Sequence, residues 1–174
     1  MKLSTKRLCR AGVIAALYAA CSYVFAPLSF GIIQIRPSEA LCLLPLFYAE
    51  AIPALFLGCA LANLLSPFFL YDVLLGSLVS ALAALLTYFI GKTVRKTGLK
   101  IFLGGLFPVL LNAFCIPLII VFLCGQTGES GALYAYFSAV LSIGLSESLC
   151  VYALGTPLYF SFEKLRNRGV QSLL

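Results

Sequence analysis

The chain has no histidine and no tryptophan, and only 10% of its 174 residues are charged. Without histidine there is no imidazole base, no Ser–His or Cys–His nucleophile and no His-based metal site. With so few charges, a soluble domain of this length would lack the polar surface that keeps it dispersed in water. The apolar–polar alternation of membrane barrel strands is missing too. The seven cysteines (Cys9, Cys21, Cys42, Cys59, Cys115, Cys124, Cys150) contain no CxxC pair and fall within or at the ends of apolar runs. They read as small packing side chains, not as a disulfide framework or a zinc set. No cofactor is expected. No repeat or linker divides the chain, so residues 1–174 read as a single integral membrane domain.

What is present is apolar: 62% of the residues, gathered in long runs. The runs are Leu8–Ala26, Ala40–Ala49, Ile52–Leu65, Val73–Ile90, Ile101–Cys124 and Ala132–Phe162. In a bilayer each backbone polar group must be satisfied within its own segment, so such runs become helices. The expected fold is all-α, a polytopic membrane protein with a bundle of about six transmembrane helices. The second run is short enough for a re-entrant reading to stand beside it. The last is long enough to tilt or protrude.

The net charge of +6 is explained by its distribution. Lys2, Lys6, Arg7 and Arg10 precede or open the first run. Lys92, Arg95, Lys96 and Lys100 lie between the fourth and fifth. Lys164, Arg166 and Arg168 follow the last. Basic loops stay in the cytoplasm. An even number of runs separates each pair of clusters, so all three share one side, and the N and C termini are expected to be cytoplasmic. The protein is expected in the cell membrane as a multi-pass chain with the bilayer as its solvent, and without nucleic acid as a partner. The twelfth basic residue, Arg36, then falls outside, as do Asp72 and Glu129.

An ionisable group inside a span is a functional candidate, because placing it there costs a few kcal/mol. Glu147 lies mid-way along the last run and Asn112 near the middle of the fifth. Arg36 and Glu39 flank the outer start of the second run, and Asn63 and Asp72 flank the outer connection before the fourth. Structural readings compete. Glu39 suits a helix N-terminus after Pro37, Arg36 suits a pair with Glu39, Asp72 suits an N-cap, and Asn112 suits an interhelical hydrogen bond. Glu50 is expected to be merely solvated.

Two glycine patterns are set aside. Gly91-Lys92-Thr93 copies the end of a phosphate-binding loop, but Leu86 stands where the first glycine belongs and no strand precedes it. The segment from Gly125 to Gly131 reads as an outer loop able to act as a lid. On the first helix, Gly12, Ala16 and Ala20 form one small-residue ladder, and Ala11, Ala15 and Ala19 form another. Packing inside the bundle and docking on a partner membrane protein are both open to them.

The stretch Phe30-Gly31-Ile32-Ile33-Gln34-Ile35-Arg36-Pro37-Ser38-Glu39-Ala40-Leu41, followed by Leu44-Pro45, resembles the signature of the QueT family. The similarity continues at Gly58 to Asn63, Asp72 to Ser77, Pro108 to Ala113 and Glu147 to Gly155. The resemblance implies a substrate-binding S component of an energy-coupling factor (ECF) transporter. It implies a membrane T subunit and two cytoplasmic ATPases as partners. It also implies a queuosine precursor as solute, a 7-deazaguanine base such as 7-aminomethyl-7-deazaguanine. The expected substrate-binding residues are Gln34, Arg36, Glu39, Asn63, Asp72, Asn112 and Glu147. The expected docking residues are Gly12, Ala15, Ala16, Ala19 and Ala20. A deazaguanine edge offers two adjacent donors, which one carboxylate can accept together. Its carbonyl needs a donor such as Arg36, Gln34 or Asn112, and aromatic rings are expected to sandwich its plane. The rival readings are an S component for a different vitamin or nucleobase-like solute, a membrane-embedded enzyme, and a structural membrane protein without a small ligand.

Overall fold

The computed structural model describes residues 5–29, 35–126 and 131–167, and all the regular structure there is helical. Six helices carry the architecture: α1 Thr5–Val24, α2 Pro37–Leu46, α3 Ala51–Leu65, α4 Phe69–Thr93, α5 Thr97–Leu123 and α6 Ala132–Arg166. Four of them, α1, α4, α5 and α6, are long and apolar enough to cross a membrane, while α2 and α3 fall below that length. The outward faces are apolar: Leu141 and Leu145, one helical turn apart on α6, are 67% and 73% exposed. A lipid surface suits such a face as water does not.

The shortest run proves to be the centre of the bundle. Helix α2 touches all five of the others, which follow one another around it in the order α1, α3, α4, α5, α6. Residues Ser38 to Leu46 are buried without exception, which is why α2 is apolar on every side. It is wound as a 3-10 helix over its whole length. Pro37 needs no hydrogen-bond acceptor at the first helical position, and it holds Arg36 extended at φ −109° and ψ 94°.

Three residues per turn stack positions i and i+3, so α2 presents three stripes. Leu41 and Leu44 pack with Ile14, Tyr18 and Leu55 of α1 and α3. Leu43 and Leu46 pack with Val109 and Val151 of α5 and α6. Glu39, Cys42 and Pro45 form the third.

Helix α1 runs antiparallel to the segment 37–50: Ser22 meets Ser38 at 2.9 Å, Tyr18 meets Glu39, and Arg10 meets Glu50 at 2.6 Å. The basic clusters gather around the Leu46–Glu50 end. The Arg10 guanidinium lies over the Tyr48 ring at 4.2 Å, and that of Arg166 over Phe47 at 5.3 Å. Gly91 backs onto Leu46 so closely that a Cβ there would stand 2.6 Å from the Leu46 carbonyl oxygen. The glycine of the apparent phosphate-binding sequence is thus a packing contact. Glu50 is not simply solvated as expected; it pairs with Arg10, with 13% of its side chain exposed.

Three helices widen into single π turns, at Asp72–Gly76, Ile119–Leu123 and Leu149–Leu154. The second follows Pro117, which has no N–H to give to the ladder. The other two adjoin Asp72 and Glu147. Such turns commonly mark functional positions.

Candidate functional site

The end of the bundle opposite the basic clusters holds buried polar groups from every helix. Glu39 lies in the first turn of α2 and is 1% exposed. The Tyr18 hydroxyl donates to one of its carboxylate oxygens, and the Cys42 thiol to the other at 2.7 Å. The second contact exists because the 3-10 winding stacks residue 42 over residue 39.

Glu147 comes from α6 and is 4% exposed. Asn112 of α5 donates its amide Nδ2 to Glu147 Oε1 at 2.7 Å. The Glu39 and Glu147 carboxyl groups line the same cleft. An isolated charge at this depth costs about 3 kcal/mol. Two carboxyl groups placed together exceed what packing alone explains.

Arg36 enters from the turn before α2. Its Nε donates to the Ser29 carbonyl and its Nη1 to Asn63 Oδ1, each at 3.4 Å. Asn63 is held in turn, with Nδ2 donating to the Asp72 carbonyl at 2.7 Å. A Cβ at Gly76 would meet that same Nδ2 at 3.1 Å. The Asp72 side chain accepts from the Ser66 hydroxyl. Its Oδ1 is buried without a hydrogen-bond partner among the described residues.

Six residues line one cleft: Arg36, Glu39, Asn112, Ile116, Ile143 and Glu147. Its free space is only about 10 Å³, about what one water molecule needs. The described residues therefore leave little room among these polar groups. Chemically the cleft combines two carboxyl acceptors, a guanidinium and an amide, between two isoleucine walls. Among the described residues no cluster of His, Cys, Asp and Glu suits a metal ion, and all seven cysteines are free thiols.

The structure thus brings together four of the expected residues, Arg36, Glu39, Asn112 and Glu147. Asn63 and Asp72 do not line the cleft; they stand behind Arg36. Asp72 is not a cap, because it opens a π turn inside a continuous helix. Gln34 and Glu129 lie outside the described residues, as does most of the glycine-rich loop. The cleft walls are Ile116 and Ile143 rather than the expected rings. Tyr18 and Cys42 were not anticipated; a hydroxyl in the apolar run of α1, and a cysteine three residues after Glu39, were the available signals.

The two ladders on α1 divide. Gly12, Ala16 and Ala20 are exposed. Ala15 and Ala19 are buried, and Ala15 packs toward α3, where a Cβ on Gly58 would stand 3.1 Å from its carbonyl oxygen. That correction leaves Ala15 only an edge on an open groove of about 480 Å³, lined also by Gly12, Pro53 and Leu57.

The family model described as QueT transporter matches residues 8–164. No curated protein and no solved structure matches the chain.

Proposed function

This chain belongs to the QueT transporter family, and on that premise we propose that it is the substrate-binding S component of an ECF importer that captures a 7-deazaguanine precursor of queuosine from outside the cell. The observation that carries the reading is the convergence of Arg36, Glu39, Asn112 and Glu147 on one buried cleft.

Each group has a task in that reading. Glu147 and Glu39 together read the donors of the base or its ammonium group. Arg36 donates to the ring carbonyl. Glu39 faces an aminomethyl ammonium group where the ligand carries one. Ile116 and Ile143 enclose the flat ring. A cleft of about 10 Å³ must open to admit a bicyclic base, and the contact that parts is Asn112–Glu147.

The six-crossing topology with cytoplasmic termini belongs to the same proposal. It is supported by the antiparallel run of α1 along 37–50, and by the meeting of all three basic clusters near Phe47–Glu50. Docking to a membrane T subunit, energised by two cytoplasmic ATPases, is assigned to the exposed Gly12, Ala16 and Ala20 and the groove beside them, where small residues let a partner helix approach.

The test is calorimetry on the purified full chain in detergent, titrated with 7-aminomethyl-7-deazaguanine, guanine and an unrelated vitamin. Saturable binding of the deazaguanine, weakened at least tenfold by Glu147→Ala, supports the reading. Equal binding by parent and variant would sink it.

A further inference from the structure

The charges around the cleft do not balance. Three carboxyl groups, Glu39, Asp72 and Glu147, are each at most 4% exposed. Among the described residues, Arg36 is the cation that lines the cleft with Glu39 and Glu147. Arg10 is not near them; it is half-buried and paired with Glu50 at the far end of the bundle. In a medium of low dielectric an uncompensated buried charge is strongly unfavourable, and a group is neutralised by a proton instead.

The hydrogen bonds indicate where that proton sits. Glu39 accepts from two donors, the Tyr18 hydroxyl and the Cys42 thiol, so it is arranged as an acceptor at both oxygens. Glu147 accepts from the Asn112 amide and shares a cleft of about 10 Å³ with Glu39. Two ionised carboxylates confined in so small a space repel each other, and one proton between them removes that repulsion. Among the described residues, the buried thiols of this region include Cys59 of α3, which accepts from Ser80, and Cys150 of α6. Neither supplies a cation. Asp72 lies behind Asn63, away from the cleft.

We propose that, in the unliganded bundle, Glu147 holds a proton shared with Glu39, and that a cationic ligand displaces it. The step balances. The O–H bond of Glu147 breaks, the proton passes to bulk water, and the incoming ammonium takes its place between the two carboxylates. Net charge in the cleft is unchanged. A neutral ligand leaves the proton where it is. The inference rests on the reading of the cleft as a deazaguanine site, and adds that the site exchanges a proton for a ligand cation.

The experiment is titration calorimetry of the purified full chain at one pH in phosphate and in Tris, whose ionisation enthalpies differ. The probes are 7-aminomethyl-7-deazaguanine, a cation, and 7-cyano-7-deazaguanine, which is neutral. The expected result is release of about one proton per cationic ligand, with affinity rising up to about tenfold per pH unit, and no release with the nitrile. Glu147→Gln, which has no carboxyl proton to give up, is expected to bind both bases more weakly and to release no proton with whatever binding of the cation remains. Binding of the aminomethyl base with no proton released overturns the exchange and leaves the proposed function standing. Failure of both bases to bind overturns the function and the exchange with it.

Discussion

Tyr18 and Glu39 are joined across the α1–α2 interface, the phenol donating to the carboxylate, and both side chains are buried. The first helix therefore contributes to the binding cleft without lining it. Tyr18→Phe keeps the ring in the core and removes only the donor. A hydrogen bond to a charged group contributes about 1.5–3 kcal/mol. The variant is expected to melt at lower temperature in detergent and to bind ligand more weakly, while Tyr23→Phe, which loses an exposed contact to the Leu61 carbonyl, changes neither appreciably.

Asn63 accepts from Arg36 Nη1, and in the proposed function it acts on the ligand through that contact. Asn63→Ala removes the acceptor for Nη1, and Gly76→Ala crowds the same amide at 3.1 Å. Both are expected to lower ligand affinity about tenfold, or about 1.4 kcal/mol, although neither residue lines the cleft. Arg36→Lys should give a loss of similar size. The Asn63→Ala/Arg36→Lys double variant should lose less than the two single losses added. Full additivity would show that Asn63 does not work through Arg36.

Glycines on the two faces of the bundle should respond oppositely. A Cβ at Gly91 meets backbone of Leu46 at 2.6 Å, which cannot swing aside. Gly91→Ala is therefore expected to lower folded yield and melting temperature. At Gly12 nothing lies within 4 Å, and Gly12→Ala should raise helix stability by about 0.5–1 kcal/mol. A bulky Ala16→Leu should leave the isolated protein's melting and ligand binding intact and weaken co-purification with the T subunit and ATPases.

Topology is open to a chemical check. In a cysteine-free background, single cysteines at the exposed positions Pro67 and Arg95 should label differently in intact cells. A membrane-impermeant maleimide is expected to reach position 67 and to reach 95 only after lysis. Labelling of both in intact cells contradicts the six-crossing arrangement.

Depth was readable from the sequence, and direction was not. Glu147 and Asn112 stood out because they interrupt long apolar runs, and both do reach the cleft. Asn63 and Asp72 occupy the right level but turn to the rear of Arg36, since linear position says nothing about which way a helix face points. The ladders on α1 show the same limit: Ala16 and Ala15 are neighbours in the chain, yet one faces out and the other in. Cys42 was invisible for another reason. Its contact with Glu39 depends on three residues per turn, and the apolar composition of α2 does not distinguish that winding from an ordinary helix. The shortness of α2 suggested a marginal segment, whereas its burial on all sides is what frees it from lipid-spanning length.

The pitch of α2 has a geometric result. Ten residues in 3-10 form reach about 20 Å, against about 15 Å as an α-helix. The central rod is stretched between the carboxylate near one rim and the aromatic pair Phe47 and Tyr48 near the other. Tightening or relaxing its coil would slide Glu39 along the bundle axis and swing it off Cys42 together. The position of Glu39 at the mouth is thus set by the same length of chain that measures the distance to the basic rim.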